Sequence, residues 1–172
     1  MRTELLLNED WLFFRGDIPV ELPKYKGPVY SQSKTERKKI GPAAYHYHDK
    51  PDEYQSDREI RCEGWEACTL PHDYVIGQDN DPTQNNALGY FRYDKAWYRK
   101  HFTLPEGCED RSILLRFDGV ATECTVYLNG CLQGRNHSAY NTFQLDISDY
   151  VFFDRDNVLA VYVRTEEFEG WW

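Results

Sequence analysis

The sequence predicts an all-β domain, a jelly-roll β-sandwich, and three observations carry that reading. From Trp65 onward, short stretches alternate apolar and polar side chains with period two, as half-buried strands require. Turn signals rich in Gly, Pro and Asn separate these stretches at intervals of about 8–12 residues. No segment shows a convincing amphipathic helical period or an internal repeat.

Taken in chain order, Met1 to Asp17 holds an apolar patch, Leu5-Leu6-Leu7 and Trp11-Leu12-Phe13-Phe14, which reads as a strand and its continuation. The zone from Ile18 to Gly64 is poor in aliphatic residues and interrupted by Pro19, Pro23, Pro28, Pro42 and Pro51. Each proline removes a backbone donor, so regular ladders are not expected there. Trp97 to Phe102 alternates, and Leu104-Pro105-Glu106-Gly107 turns the chain. Ile113 to Phe117 places Ile113, Leu115 and Phe117 on one face. In Glu123 to Leu128, Cys124, Val126 and Leu128 point inward. Asn129-Gly130 supplies the positive φ angles of a tight hairpin turn. Val158 to Val163 is β-branched and nearly continuous, the pattern of a central strand.

Composition narrows the function. With 172 residues the chain forms a single domain, 1–172, in which 18–64 is a long loop or insertion. The net charge of −9 argues against nucleic acid, whose binders rely on a basic surface. The only dense basic run, Lys34 to Lys39, is broken by Glu36 and reads as a solvated loop. No apolar run reaches the roughly 20 residues of a membrane span, and the N-terminus lacks a secretory apolar region, so a cytoplasmic protein is expected. Aromatic residues make up 16% of the chain, with 13 Tyr and 5 Trp. Such rings join an apolar face to a polar edge and suit both protein interfaces and sugars.

Cys62, Cys68, Cys108, Cys124 and Cys131 form neither a complete disulfide framework nor a zinc spacing. A two-residue turn at Asn129-Gly130 puts Leu128 opposite Cys131 and Cys124 opposite Arg135, so Cys124 and Cys131 are not partners. Free thiols in a reducing compartment follow. His46 and His48, with Asp49, could share a strand face and ligate zinc, but further ligands are not identifiable, and no metal or other cofactor is assigned.

Several segments together resemble a known family. Leu70-Pro71-His72-Asp73-Tyr74 is similar to the LPHDW signature of family 2 glycoside hydrolases, the family of β-galactosidases and β-glucuronidases. Ala96 to Phe102 is similar to its GWYRKxF strand, Phe117-Asp118-Gly119-Val120 to FDGV, and Val126 to Gly130 to VxxNG. Gly134, Tyr140, Phe143 and Asp146-Ile147 fall where the family places GxxxxGYxxFxxDI; Asn157 to Val161 resembles NxLAV. Leu7-Asn8, Trp11 and Phe13 also fit, so the resemblance covers everything outside 18–64. Two glycines of the pattern are replaced, by Ala96 and Ala139.

The resemblance implies a galactose-binding-domain-like sandwich at the front of the enzyme, followed by an immunoglobulin-like domain and a (β/α)₈ barrel bearing the catalytic glutamates. A barrel needs roughly 250 residues, so the chain is expected to be a truncated piece and inactive alone, and no catalytic residue is assigned. The parent is expected to be a retaining β-galactosidase-like hydrolase of terminal β-linked sugars. Counting back from Phe143, the family's sugar-contacting loop position falls on Asn136, beside His137. A second loop, Gln78 to Asn86, has a counterpart that can supply an Asn near the same subsite, here Asn85 or Asn86. Asp73 of the LPHD motif lies near that loop and is also a sugar-site candidate. Partners expected on this reading are a carbohydrate substrate and the other domains of the same polypeptide. Rival readings are a stand-alone carbohydrate-binding module or lectin, and an oligomer contact for a homo-oligomeric parent.

Overall fold

The computed structural model describes residues 3–18, 41–45, 47 and 64–165. The possible zinc ligands His46, His48 and Asp49 lie outside the described residues, as does most of 18–64. Eight strands run through the described residues: β1 (Trp11–Arg15), β2 (Glu66–Cys68), β3 (Lys95–Phe102), β4 (Leu114–Phe117), β5 (Glu123–Leu128), β6 (Cys131–Asn136), β7 (Phe143–Asp146) and β8 (Asn157–Arg164). The only helices among them are two short 3-10 turns, Gly41–Ala43 and Asn86–Leu88. Neither could cross a membrane.

Six strands form one antiparallel sheet in the order β2-β1-β3-β8-β5-β6, and β4 pairs with β7 in a second sheet. This is the expected all-β sandwich. The central position of β8 follows from its composition. Asn157 to Val161 are all buried, as a strand covered on both faces must be. In β5 the pattern is cleaner. Cys124, Val126 and Leu128 are buried and alternate with half-buried Glu123, Thr125 and Tyr127. The small sheet closes the core with Leu115 and Phe117 from β4 and Phe143 and Leu145 from β7; Phe117 and Phe143 stack at 4.8 Å. Burying Leu128 and Leu159 completely contributes about 1.5–3 kcal/mol each.

The Asn129-Gly130 turn forms as expected, with φ of 52° and 81°. Leu128 faces Cys131, but Cys124 faces Asn136, not Arg135. The pairing steps from Tyr127–Leu132 to Val126–Gly134, leaving Gln133 as an extra residue in β6. Such a bulge shifts everything beyond it by one. Gly134 is then pressed against the second sheet: a Cβ there would lie 2.6 Å from Leu145 Cδ2.

Two further expectations are corrected. Leu5 to Leu7 forms no strand; Leu5 and Leu6 are exposed and only Leu7 packs on the core. Asp10, at φ 54°, turns the chain just before Trp11 and so ends any continuous extended run. In β3 the alternation of exposure is lost, because Ala96, Trp97, Tyr98 and Arg99 are all buried. Ala96 and Tyr98 face the core between the sheets, whereas Ala43, Trp97 and Ala160 form a second small cluster on the opposite face.

Arg99 organises that outer cluster. Its guanidinium is fully buried and donates to the carbonyls of Pro42, Ala44 (3.1 Å) and Tyr47 (3.3 Å). It also lies 5.1 Å from the centre of the Tyr47 ring, within cation–π reach. A planar five-donor fork can serve several carbonyls at once, which a lysine cannot.

Burial also sets the titration of the rings. Desolvation raises the phenols of Tyr74, Tyr98 and Tyr127, and pushes Tyr162 up to about 12. It pushes the Cys124 thiol up to about 11. Folded protein therefore keeps these protons at a pH where the unfolded chain has released them, and stability falls as pH rises. Urea titrations should show a midpoint steady from about pH 6 to 9 and declining between about 10 and 12, with these four phenols ionising only on unfolding. Ring signals of Tyr74, Tyr98, Tyr127 or Tyr162 that shift near pH ~10 while the protein stays folded would contradict the assignment.

Candidate functional site at one end of the sandwich

The ladders bring the polar loops to one end. Lys95, the first residue of β3, pairs with Arg164 near the end of β8, and Arg164 pairs with Glu123 at the start of β5. Cys124 then pairs with Asn136, the last residue of β6. The loops before β3, before β5 and after β6 therefore open on the same rim.

The loop before β3 carries Asp73 and Asn86 and is tied down from inside. Tyr74 Oη donates to the Asp94 carbonyl (2.8 Å) and shares a 2.7 Å hydrogen bond with Thr165 Oγ1. Gln78 Nε2 donates to the Tyr74, Val75 and Arg92 carbonyls, while its Oε1 accepts from Arg15. His72 shares a 3.0 Å hydrogen bond with Tyr98 and packs edge-on against Phe13. These contacts make Leu70 to Tyr74 a structural anchor. Asp73 itself is exposed, and its Oδ1 accepts from the amides of Val75 (2.8 Å) and Ile76 (3.3 Å), closing the turn that follows. Asn85 caps the 3-10 turn by accepting from the Ala87 amide (2.9 Å), so its side-chain oxygen is engaged. Asn86, the first residue of that turn, is exposed.

Asn136 and His137 lie across the rim. Asn136 is half-buried and donates from Nδ2 to the Ser138 carbonyl at 2.7 Å. His137 is exposed, with Nδ1 3.1 Å from Glu123 Oε1; Arg164 approaches the other Glu123 oxygen at 3.6 Å. Ala139 is absent from the positive-φ residues, so the replacement of the family glycine imposes no strain. Its carbonyl would lie 3.0 Å from a Cβ placed on Gly119, and Thr142 donates to the Asp118 carbonyl, so the β4–β5 and β6–β7 loops pack together.

The structure thus divides the four candidates into two pairs, Asp73 with Asn86 and Asn136 with His137. The first loop is held to Thr165 through Tyr74, and the second meets Arg164 through Glu123, which both His137 and Arg164 approach. Glu123, Arg164 and Thr165 complete the rim and were not among the sequence candidates. Their only signal was position at a strand end, and nothing local marks which strand ends meet. Among the described residues no cluster of three or more His, Cys, Asp or Glu could hold a metal.

A two-sheet antiparallel sandwich with its polar loops gathered at one rim is a galactose-binding-domain-like fold. Residues 69–170 match the family model described as the glycosyl hydrolase 2 galactose-binding domain-like domain, and the chain belongs to that family. It is 33% identical over 107 residues to the β-galactosidase BoGH2A of Bacteroides ovatus, covering 60% of this chain and 12% of the relative. Over 110 residues it is 28% identical to a β-glucuronidase of Formosa agariphila, covering 59% of this chain and 11% of the relative. A family 2 glycosyl hydrolase structure from Bacteroides cellulosilyticus superposes with a TM-score of 0.62 at 27% identity, covering 92% of this chain and 17% of that one. A β-glycosidase from Bacteroides vulgatus shares the fold, with a TM-score of 0.64 at 21% identity over 93% of this chain and 17% of that one. The chain therefore spans only 11–12% of the length of such curated relatives.

Proposed function

We propose that this chain is the sugar-binding N-terminal domain of a retaining family 2 glycoside hydrolase acting on terminal β-linked sugars, β-galactosidase-like in substrate class. The observation that carries the reading is the family match together with relatives that are β-galactosidases and β-glucuronidases. In this reading the domain does no bond-breaking itself. The two carboxyl groups of a retaining enzyme stand about 5–5.5 Å apart across the scissile bond, and both belong to a barrel domain of the same polypeptide.

The rim would hold the sugar for them. Asn136 and Asn86 each present a donor and an acceptor, which matches a sugar hydroxyl, and Asp73 and His137 add polar groups nearby. Holding the ring in one orientation lowers the barrier by removing freedom that the reaction would otherwise have to remove. A reducing, cytoplasmic setting, suited to an odd number of cysteines, belongs to the same proposal.

The test has two arms. The 172-residue chain should give no turnover of chromogenic β-galactosides or β-glucuronides. In the parent enzyme, Asn136→Ala should reduce kcat/KM by about tenfold, the loss of one or two sugar hydrogen bonds at about 0.5–1.5 kcal/mol each. Turnover by the chain that vanishes on substituting one Asp or Glu would overturn the non-catalytic role. An unchanged kcat/KM would remove Asn136 from the site.

A further inference from the structure

The face of the large sheet that looks away from the core carries a polar hollow that adjoins the rim and shares Glu123, Arg164 and His137 with it. Strand register lays its residues out as a grid. Arg135, Thr125, Tyr162 and Trp97 form one row across β6, β5, β8 and β3. Glu123 and Arg164 pair in the next row toward the rim, and Tyr127 stands on the other side of Thr125 along β5. Thr125 is thus a small side chain ringed by larger ones, and the sheet is dished there. The hollow has a volume of about 290 Å³, and Thr125, Tyr127, Arg135, Tyr162, Glu123, Arg164 and His137 are among the residues that line it.

Its walls have a definite chemistry. Tyr162 packs against buried Trp97 at 4.7 Å, and Trp97 lies 6.1 Å from Tyr127, so both tyrosines are backed by one ring. Glu123 is already approached by His137 at 3.1 Å and Arg164 at 3.6 Å. Arg135 is the cation of this group that holds no ion pair among the described residues. Two arginines stand against one glutamate in the lining, and Asp17, which accepts from Tyr162 at 3.4 Å, is matched by Lys95 at 3.4 Å, so the excess is positive. Small-molecule pockets run from about 300 Å³ upward, so this hollow suits a single ring and not an oligomer.

We propose that this hollow binds one pyranose unit bearing an acidic substituent. Arg135 would pair with the carboxylate through its planar fork, the tyrosines would flank the C–H surface of the ring, and Glu123 would accept from a hydroxyl. The residues that are the hollow's own are Thr125, Tyr127, Arg135 and Tyr162, so Arg135 and Thr125 variants test it separately from the rim. Arg135 and Asn136 are neighbours on β6 and therefore point to opposite faces of the sheet.

The experiment compares glucuronic acid with glucose, which differ only in the carboxylate, by calorimetry and by amide shifts of the isotopically labelled chain. Glucuronic acid should shift Thr125, Arg135 and Tyr162 saturably. Binding should weaken at least tenfold for glucose, for Arg135→Ala and for Thr125→Tyr, which fills the hollow. Arg135 is exposed, so its variant should fold as the parent does, checked by its urea midpoint. Arg116→Ala, which removes an exposed cation on the second sheet, should leave binding unchanged. Equal binding of glucose, undiminished binding to Arg135→Ala, absence of shifts at these residues, or an equal loss of binding in Arg116→Ala would each overturn the proposal.

Discussion

Arg99→Met should destabilise the domain by about 3 kcal/mol, from the loss of charged hydrogen bonds at about 1.5–3 kcal/mol each, partly offset by relief of the buried charge. Methionine keeps the length and apolar stem of the side chain, so the change isolates the guanidinium. Without it, the carbonyls of Pro42, Ala44 and Tyr47 lose their shared donor. They can regain hydrogen bonds only by turning toward water, which lifts segment 41–47 from the sheet and uncovers Trp97 and Ala160. Two measurements read this separately. Urea unfolding gives the lost stability, and hydrogen exchange at Ala44 and Tyr47, whose amides bond the Gly41 and Ala44 carbonyls, gives the release of the segment. Arg99→Lys should fall between, because one ammonium cannot reach three diverging carbonyls. A Met variant within about 0.5 kcal/mol of the parent, the range of ordinary surface changes, would remove Arg99 from this role.

A comparable loss, about 3–4 kcal/mol, is expected for Asn129→Ala, from three hydrogen bonds at about 1 kcal/mol each and a left-handed backbone that costs alanine about another 1 kcal/mol. Asn129 is buried at φ 52°. Its Nδ2 donates to the Tyr150 carbonyl (2.8 Å) and to Asn157 Oδ1 (2.9 Å), and its Oδ1 accepts from the Val158 amide (2.9 Å). Asn157 in turn accepts from the Phe152 amide at 2.7 Å and donates to the Phe152 carbonyl at 2.8 Å. The two asparagines thus fasten the β5–β6 hairpin to the loop that leads into β8. Asn129→Gly divides the effect, since glycine accepts the left-handed backbone without strain but makes none of the three side-chain bonds. It should recover only the backbone part. A glycine variant as stable as the parent in urea would show that the network contributes nothing.

Much of the β architecture was legible because its information is local. Period-two burial in β5, the Asn129-Gly130 turn and the β-branched run of β8 each reflect forces among neighbours along the chain. Where the sequence reading failed, the cause was non-local or a one-residue irregularity. The extra residue at Gln133 moved Cys124 from Arg135 to Asn136, and turn chemistry alone does not announce a bulge beyond the turn. Arg99 sits at what a strand pattern marks as an outward, solvated position. It is buried only because a segment more than fifty residues earlier lies over it. At the rim, the loop positions of Asn136, His137, Asn86 and Asp73 could be read from motifs. Their division into two pairs could not, and neither could Asp73's use of a carboxylate oxygen to close a turn.

By itself, then, the order of apolar and polar residues determined that this chain makes an antiparallel sandwich, and its motifs pointed to the family to which it belongs. Tertiary structure alone decided which strand ends share a rim, that Glu123 faces both His137 and Arg164, and that Thr125 lies at the bottom of a hollow. The physical reason is range. Periodicity is written by each residue's own preference for water or core. A site is made where ladders bring together side chains from β5, β6 and β8, and no single segment of chain carries a record of that meeting.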